Sequence, residues 1–144
     1  MLAEDDADFA LLLRTAFECE NLPVSFKVVS DGTELVEYLE GRDPYGNRAA
    51  YPFPKMVVLD LNLPRLDGFA VLRWIRSRPE LKDLQVVVLT GVQIEREARL
   101  AHDLGANTYL VKPFQFLKLL EMARWLWDSL TTGAQIPEPE PAHS

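Results

Sequence analysis

The apolar run from Met56 to Leu59 stops at Asp60, and Leu61, Asn62, Leu63 and Pro64 lead on to Asp67-Gly68. Proline cannot continue a strand, so Asp60 stands where the backbone leaves a sheet and enters a loop. Three other apolar runs end the same way: Met1 to Ala3 at Glu4-Asp5, Leu84 to Leu89 at Thr90-Gly91, and Thr108 to Val111 at Lys112-Pro113. A lone Asp at such a place is as readily a turn residue as a functional one. Glu4, Asp5 and Asp60 gathered together would repel one another unless a cation neutralised them, and a hard divalent ion with oxygen ligands, Mg²⁺ or Mn²⁺, suits that need. Lys112 adds a fixed positive charge and Thr90 a neutral donor. Such a set can stabilise the equatorial oxygens of a phosphoryl group while the Asp60 carboxylate attacks phosphorus in line, giving an acyl phosphate on Asp60. Gly91 leaves room for the group or for an attacking water.

The elements that must hold these residues alternate strand and helix. Met1 to Ala3 makes a short, clipped first strand, and apolar residues ahead of Met1 are expected to raise the melting temperature. Phe9, Leu12, Leu13, Ala16 and Phe17 recur at helical spacing behind a cap at Asp5 or Asp6, and Asn21-Leu22-Pro23 ends that helix. Residues 24–29 read as a strand, 34–40 as a helix stopped by Gly41, and 42–54, rich in Pro and Gly, as a long loop tolerated on the surface. After the Met56–Asp60 strand come a helix over about 69–77, a strand over 84–89, a helix over 94–104 closed by Gly105, a strand over 108–111 and a last helix over about 116–130. Five βα units predict a doubly wound α/β fold with a five-stranded parallel sheet in the order 2-1-3-4-5. Its switch point falls between strands 1 and 3, which carry Glu4, Asp5 and Asp60.

A chain of 144 residues, 48% hydrophobic, supports one core, read as a domain over 1–130 followed by a Pro/Glu-rich disordered tail over 131–144. A net charge of −7 argues against nucleic acid or an anionic membrane as partner. Cys19 is the one cysteine and reads as plain helix packing; without a disulfide framework, a signal peptide pattern or a membrane-length apolar run, the expected location is the cytoplasm.

The segments EDDADF, VVLDLNLPRLDG, VVVLTG and YLVKPF resemble the receiver domain of two-component response regulators, the fold of the chemotaxis regulator CheY. The resemblance implies that Asp60 is the phosphoacceptor, that Glu4 and Asp5 are the acidic pair of the metal site, and that the Asn62 backbone carbonyl also binds Mg²⁺. It further implies that Thr90 is the switch hydroxyl, Lys112 the phosphate-binding lysine and Tyr109 the switch aromatic. A sensor histidine kinase or phosphotransfer protein would supply the phosphoryl group. The domain would catalyse only its own phosphorylation and dephosphorylation, and the face of helix 4, strand 5 and helix 5 would carry the signal. The long loop after helix 2 and the apolar last helix are similar to regulators that stand alone beside bacterial phytochrome-type kinases and tend to dimerise. In that helix Phe116, Leu119, Leu120, Ala123, Leu126 or Trp127, and Leu130 are expected to face the core, leaving Leu117, Met122 and Trp125 for a homodimer contact.

Three other readings share parts of this pattern. A haloacid-dehalogenase-type phosphatase needs its nucleophile in the first strand and its acidic pair late in the chain, the reverse of the order here. An FMN binder of flavodoxin type needs a neutral phosphate loop where Glu4-Asp5-Asp6 stands. A receiver acting unphosphorylated, as scaffold or phosphate sink, has the same sequence signature. His102 and His143 read as surface residues, and Arg65, Arg73, Arg76 and Arg78 as a solvated face.

Overall fold

The computed structural model describes residues 1–138. Five strands and five helices alternate: β1 (Leu2–Ala3), α1 (Ala7–Cys19), β2 (Val28–Val29), α2 (Gly32–Glu40), β3 (Met56–Asp60), α3 (Gly68–Ser77), β4 (Gln85–Thr90), α4 (Glu95–Asp103), β5 (Thr108–Val111) and α5 (Phe116–Thr132). A single 3-10 turn, Pro79–Leu81, follows α3. All pairings are parallel and the order is β2-β1-β3-β4-β5, the doubly wound α/β arrangement expected from the alternation. No helix among the described residues is long and apolar enough to cross a membrane.

Successive strand residues face opposite sides of a sheet, so each central strand feeds two cores. Val57, Leu59, Val86 and Val88 pack with Leu35, Leu72, Ile75 and Ala101 beneath α2, α3 and α4. Met56, Val58, Val87 and Leu89 pack with Phe9, Leu13, Phe17, Leu119 and Leu126 beneath α1 and α5. Asp6, Asp31 and Asp67 cap α1, α2 and α3 with their carboxylates. Gly41 and Gly133, at φ 72° and 75°, end α2 and α5 in the left-handed region. The helix α4 is held most lightly: Ala101 is its one buried residue.

Several expected boundaries move. Residues 24–27 alternate between half-buried and exposed as a strand would, but only Val28 and Val29 pair, because β1 offers just Leu2 and Ala3 to pair with. The shortness of β1 is offset in part by bonds from its flanks: Val58 N donates to Met1 O (2.8 Å) and Glu4 N to Val29 O (2.9 Å). In α1 the buried stripe is Phe9, Ala10, Leu13, Ala16 and Phe17, while Leu12 and Cys19 face out. In α5 it is Leu119, Met122, Ala123, Leu126 and Ser129; Met122 therefore belongs to the core, and Phe116, in the first turn, is exposed. Trp125 and Trp127 are half-buried against that core rather than free.

The long loop is packed, not merely tolerated. Tyr38, Tyr45 and Tyr51 contact one another with centroids 4.9 to 6.1 Å apart, Tyr38 Oη donates to Pro52 O (2.8 Å), and Tyr45 Oη donates to Glu34 Oε1 (3.0 Å). Burial and the Glu34 carboxylate push the Tyr45 phenol up to about 12. Past residue 130, α5 runs on to Thr132, and Ile136 is 3% exposed within the α1-α5 core. The remainder of the expected tail, and His143 with it, lies outside the described residues. At the N-terminal ends of the strands a cleft of about 650 Å³ opens between Met1, Phe17, Phe26, Phe53, Met56 and Trp127.

Candidate functional site

The β1 and β3 tips stand side by side because Ala3 is in register with Leu59, which places Glu4 next to Asp60. Both acids are buried, each 2% exposed, whereas Asp5 is exposed. Oxygens of Glu4, Asp5 and Asp60 all lie within 4.8 Å of one another. The β5 tip brings Lys112 across: its Nζ is 2.7 Å from Glu4 Oε2 and 3.1 Å from Asp60 Oδ2. Thus the four charged residues singled out in the sequence meet at the switch point of the sheet.

Each carboxylate is also held from its own loop. Asp6 N donates to Glu4 Oε1 (3.1 Å) and Asn62 N to Asp60 Oδ1 (3.0 Å). The second bond folds residues 61–63 back over the β3 tip, where buried Leu61 and Leu63 anchor the turn in the core. Gly68 completes it, because a Cβ there would stand 2.6 Å from Asp60 O and from Leu61 Cα.

Charge is unevenly met. Burial pushes the Glu4 carboxyl up to about 7, the Lys112 ammonium opposes that rise, and Asp60 reinforces it. Burial works against the Lys112 charge, but the Glu4 and Asp60 carboxylates outweigh it and raise its pKa above the ordinary value. Although Lys112 touches Glu4 Oε2 as an ion pair, that oxygen has no aligned hydrogen-bond donor among the described residues. A buried, poorly satisfied carboxylate oxygen beside two further carboxylates is a donor set that fits a hard divalent cation.

Thr90 is buried at the neighbouring tip, and its hydroxyl donates to Val92 O (3.0 Å) in its own loop. Tyr109 is not a surface-facing strand residue: the ring is 2% exposed, and its hydroxyl accepts from Ile94 N (3.3 Å) in the β4-α4 loop. Gly91 has open space where a side chain would project. One participant escaped the sequence reading. The Phe9 ring lies 5.0 Å from Lys112 Nζ and supports the ammonium from the α1 side. Its only sequence signal is an apolar position in the first turns of a helix, which does not distinguish it from ordinary core.

With this geometry in hand, residues 1–124 match the family described as the response regulator receiver domain. The chain belongs to this family. Receiver domains are the signalling domains of two-component systems. Among sequence relatives, the response regulator Rcp1 of Synechocystis sp. is 31% identical over 86% of this chain and 82% of its own length. Among solved structures, the response regulator RPA3017 "in red light signaling of R. palustris" is 33% identical with a TM-score of 0.86, and 96% of each chain is covered. The phosphorylated cyanobacterial phytochrome response regulator RcpA is 31% identical with a TM-score of 0.83, covering 95% of this chain and 96% of its own. All three are CheY-like receivers, as the doubly wound sheet is here.

Proposed function

We propose that this receiver accepts a phosphoryl group on Asp60 from a sensor histidine kinase. The observation that carries the reading is the Lys112 ammonium bridging Glu4 and Asp60 at a buried strand tip, with Asp5 beside them. A carboxylate oxygen of Asp60 attacks phosphorus of a phosphohistidine. The P–O bond of an acyl phosphate forms, the P–N bond breaks, and the leaving imidazole takes a proton. Glu4, Asp5, Asp60 and the Asn62 carbonyl would hold Mg²⁺ or Mn²⁺, which when bound offsets the charge of the carboxylates and of the incoming oxygens. The structure of the relative Rcp1 in its Mn²⁺-bound form supports that choice of ion. Lys112 holds a phosphoryl oxygen, and water entering beside Gly91 attacks phosphorus, so that the P–O bond to Asp60 breaks, inorganic phosphate leaves and the carboxylate is restored; on this reading the domain's catalysis is confined to its own phosphate.

Thr90 must rotate from Val92 to reach the phosphoryl group, which alters the loop that Tyr109 holds at Ile94. Since the Tyr109 ring is already inward, the change falls on residues 90–94 and α4 more than on the ring. The α4-β5-α5 face then reports the state of Asp60. The likeness to phytochrome response regulators supports a phytochrome-type kinase as donor, and a cytoplasmic site of action follows from that partner. Incubation with acetyl phosphate and Mg²⁺ should add one labile phosphoryl mass to the wild type and none to Asp60→Asn; a wild type that gains nothing refutes the proposal.

The α5 helix also supports self-association, since Leu117 is 77% exposed and Trp125, two turns further along, is only half-buried. In sedimentation velocity the wild type is expected to form a dimer that Leu117→Glu weakens at least tenfold. A wild type that stays monomeric at high concentration removes the dimer and leaves the phosphorylation reading intact.

A further inference from the structure

The segment after α5 lies beyond the residues that match the family, yet it makes three separate attachments to the domain. Gly133, in the left-handed region, turns the chain back at the end of α5. Ile136 then enters the core cluster that holds Leu110, Met122 and Leu126. Two residues on, Glu138 divides its carboxylate: Oε1 accepts from Tyr109 N at 3.3 Å, and Oε2 is 3.1 Å from His102 Nε2 on α4.

The chemistry of an edge strand explains the first of these bonds. As the last strand in the sheet, β5 has a neighbour on one side only. Lys112 N donates to Thr90 O (2.8 Å), so alternate amides of β5 point toward β4 and the Tyr109 amide points outward. An outward amide half-covered by protein needs an acceptor, and such edges are protected in native proteins by a covering segment. Pro137, which lacks an N–H and resists helix, keeps the three residues extended so that Ile136 and Glu138 reach the domain together.

We propose that Ile136–Glu138 form an intramolecular strap over the α4-β5-α5 face, latched by Glu138, so that a partner reaching this face must first displace the chain's own tail. The proposal rests on the phosphorylation reading only in taking that face as the one partners use. Tyr109 links the two: its amide carries the latch and its hydroxyl carries the loop that follows Thr90. A rearrangement of that loop and release of the strap therefore draw on the same residue and are thermodynamically coupled in both directions.

Residue-resolved amide hydrogen exchange on the full, unphosphorylated chain decides it. In Glu138→Ala the Tyr109 amide is expected to exchange about tenfold faster or more, while the Leu110 amide, which faces β4, keeps its wild-type rate. Glu138→Gln, which keeps an acceptor oxygen, should restore part of the protection, and Ile136→Ala should open the same site. Equal Tyr109 exchange in wild type and Glu138→Ala overturns the latch. Protection that grows with protein concentration would place a second copy's tail on the edge and overturn the intramolecular strap. None of these readouts uses phosphate, so a chain whose Asp60 takes up no phosphoryl group would refute the preceding section and leave the strap to stand or fall here.

Discussion

At the scale of single residues, the site is a problem of too much negative charge in too little water, and Glu4 bears most of it. Its carboxyl ordinarily titrates near 4.5 and is pushed up to about 7 in the fold. Between those values the folded chain binds more protons than the unfolded one, so the Glu4 contribution makes stability fall as pH rises through that window. The Met1 ammonium, lowered by burial to about 6 from 8.0, works in the opposite sense between about 6 and 8. Comparison of wild type with Glu4→Gln by metal-free thermal melts at several pH values cancels the amine. The wild type is expected to lose stability relative to the variant between pH 5 and 7, and parallel curves would count against the assigned shift. Because a metal must displace the proton, the rise in melting temperature caused by Mg²⁺ should be larger at pH 8 than at pH 6. Asp60, Glu4 and Lys112 were legible in the sequence because each ends an apolar run, and the sheet forces such residues to one edge. The direction of the Thr90 hydroxyl and the place of Phe9 were not, since rotamers and ring contacts are set by packing between segments far apart in the chain.

Among the elements, helices were easier to read than edges. Caps such as Asp31 and Asp67 and stops such as Gly41 act locally, so the ends of α2 and α3 follow from a few adjacent residues. The length of β2 follows from how much of β1 is there to pair with, and the α5 stripe from how the helix is rolled on the sheet; neither is a local property. The arginines near α3 make the same point. Arg76 looked like part of a solvated face, but it donates to Gly105 O (2.9 Å), Leu81 O (3.1 Å) and Asn107 Oδ1 (2.9 Å), and Asn107 Oδ1 also accepts from Val86 N (2.8 Å). The guanidinium thereby ties α3, the 3-10 turn and the approach to β5 together. Arg76→Ala is expected to cost about 1–3 kcal/mol in urea unfolding, with phosphate uptake per folded molecule unchanged. A loss below about 0.5 kcal/mol would mean that water replaces the guanidinium at no net cost.

For the molecule as a whole, chemistry and void sit at opposite ends of the sheet: the acids crowd the C-terminal tips, and the cleft of about 650 Å³ opens at the N-terminal ends. Lys27 O already accepts from Leu2 N (2.7 Å), so apolar residues added ahead of Met1 would prolong β1 into the gap between segment 24–26, which lies outside any strand, and Met56. The expected result is a higher melting temperature, at roughly 2–4 °C per kcal/mol gained, with residues 24–26 becoming protected in hydrogen exchange. No change in either would show that the gap is not a weak point. Fold class and strand order were readable at this scale because five βα units leave few topologies. The burial of Ile136 was not, because Pro/Glu-rich composition says little about one isoleucine that finds a core. Mechanical compliance is just as unequally shared. With Ala101 as its one buried residue, half-buried Ala98 beside it and the Glu138–His102 contact on its outer side, α4 is the plank of this scaffold with the fewest fixings in the core, and the free energy for local opening should be lowest there. Strain created at the acidic tip will therefore be relieved by displacing that plank before the firmly bolted helices on either side begin to yield.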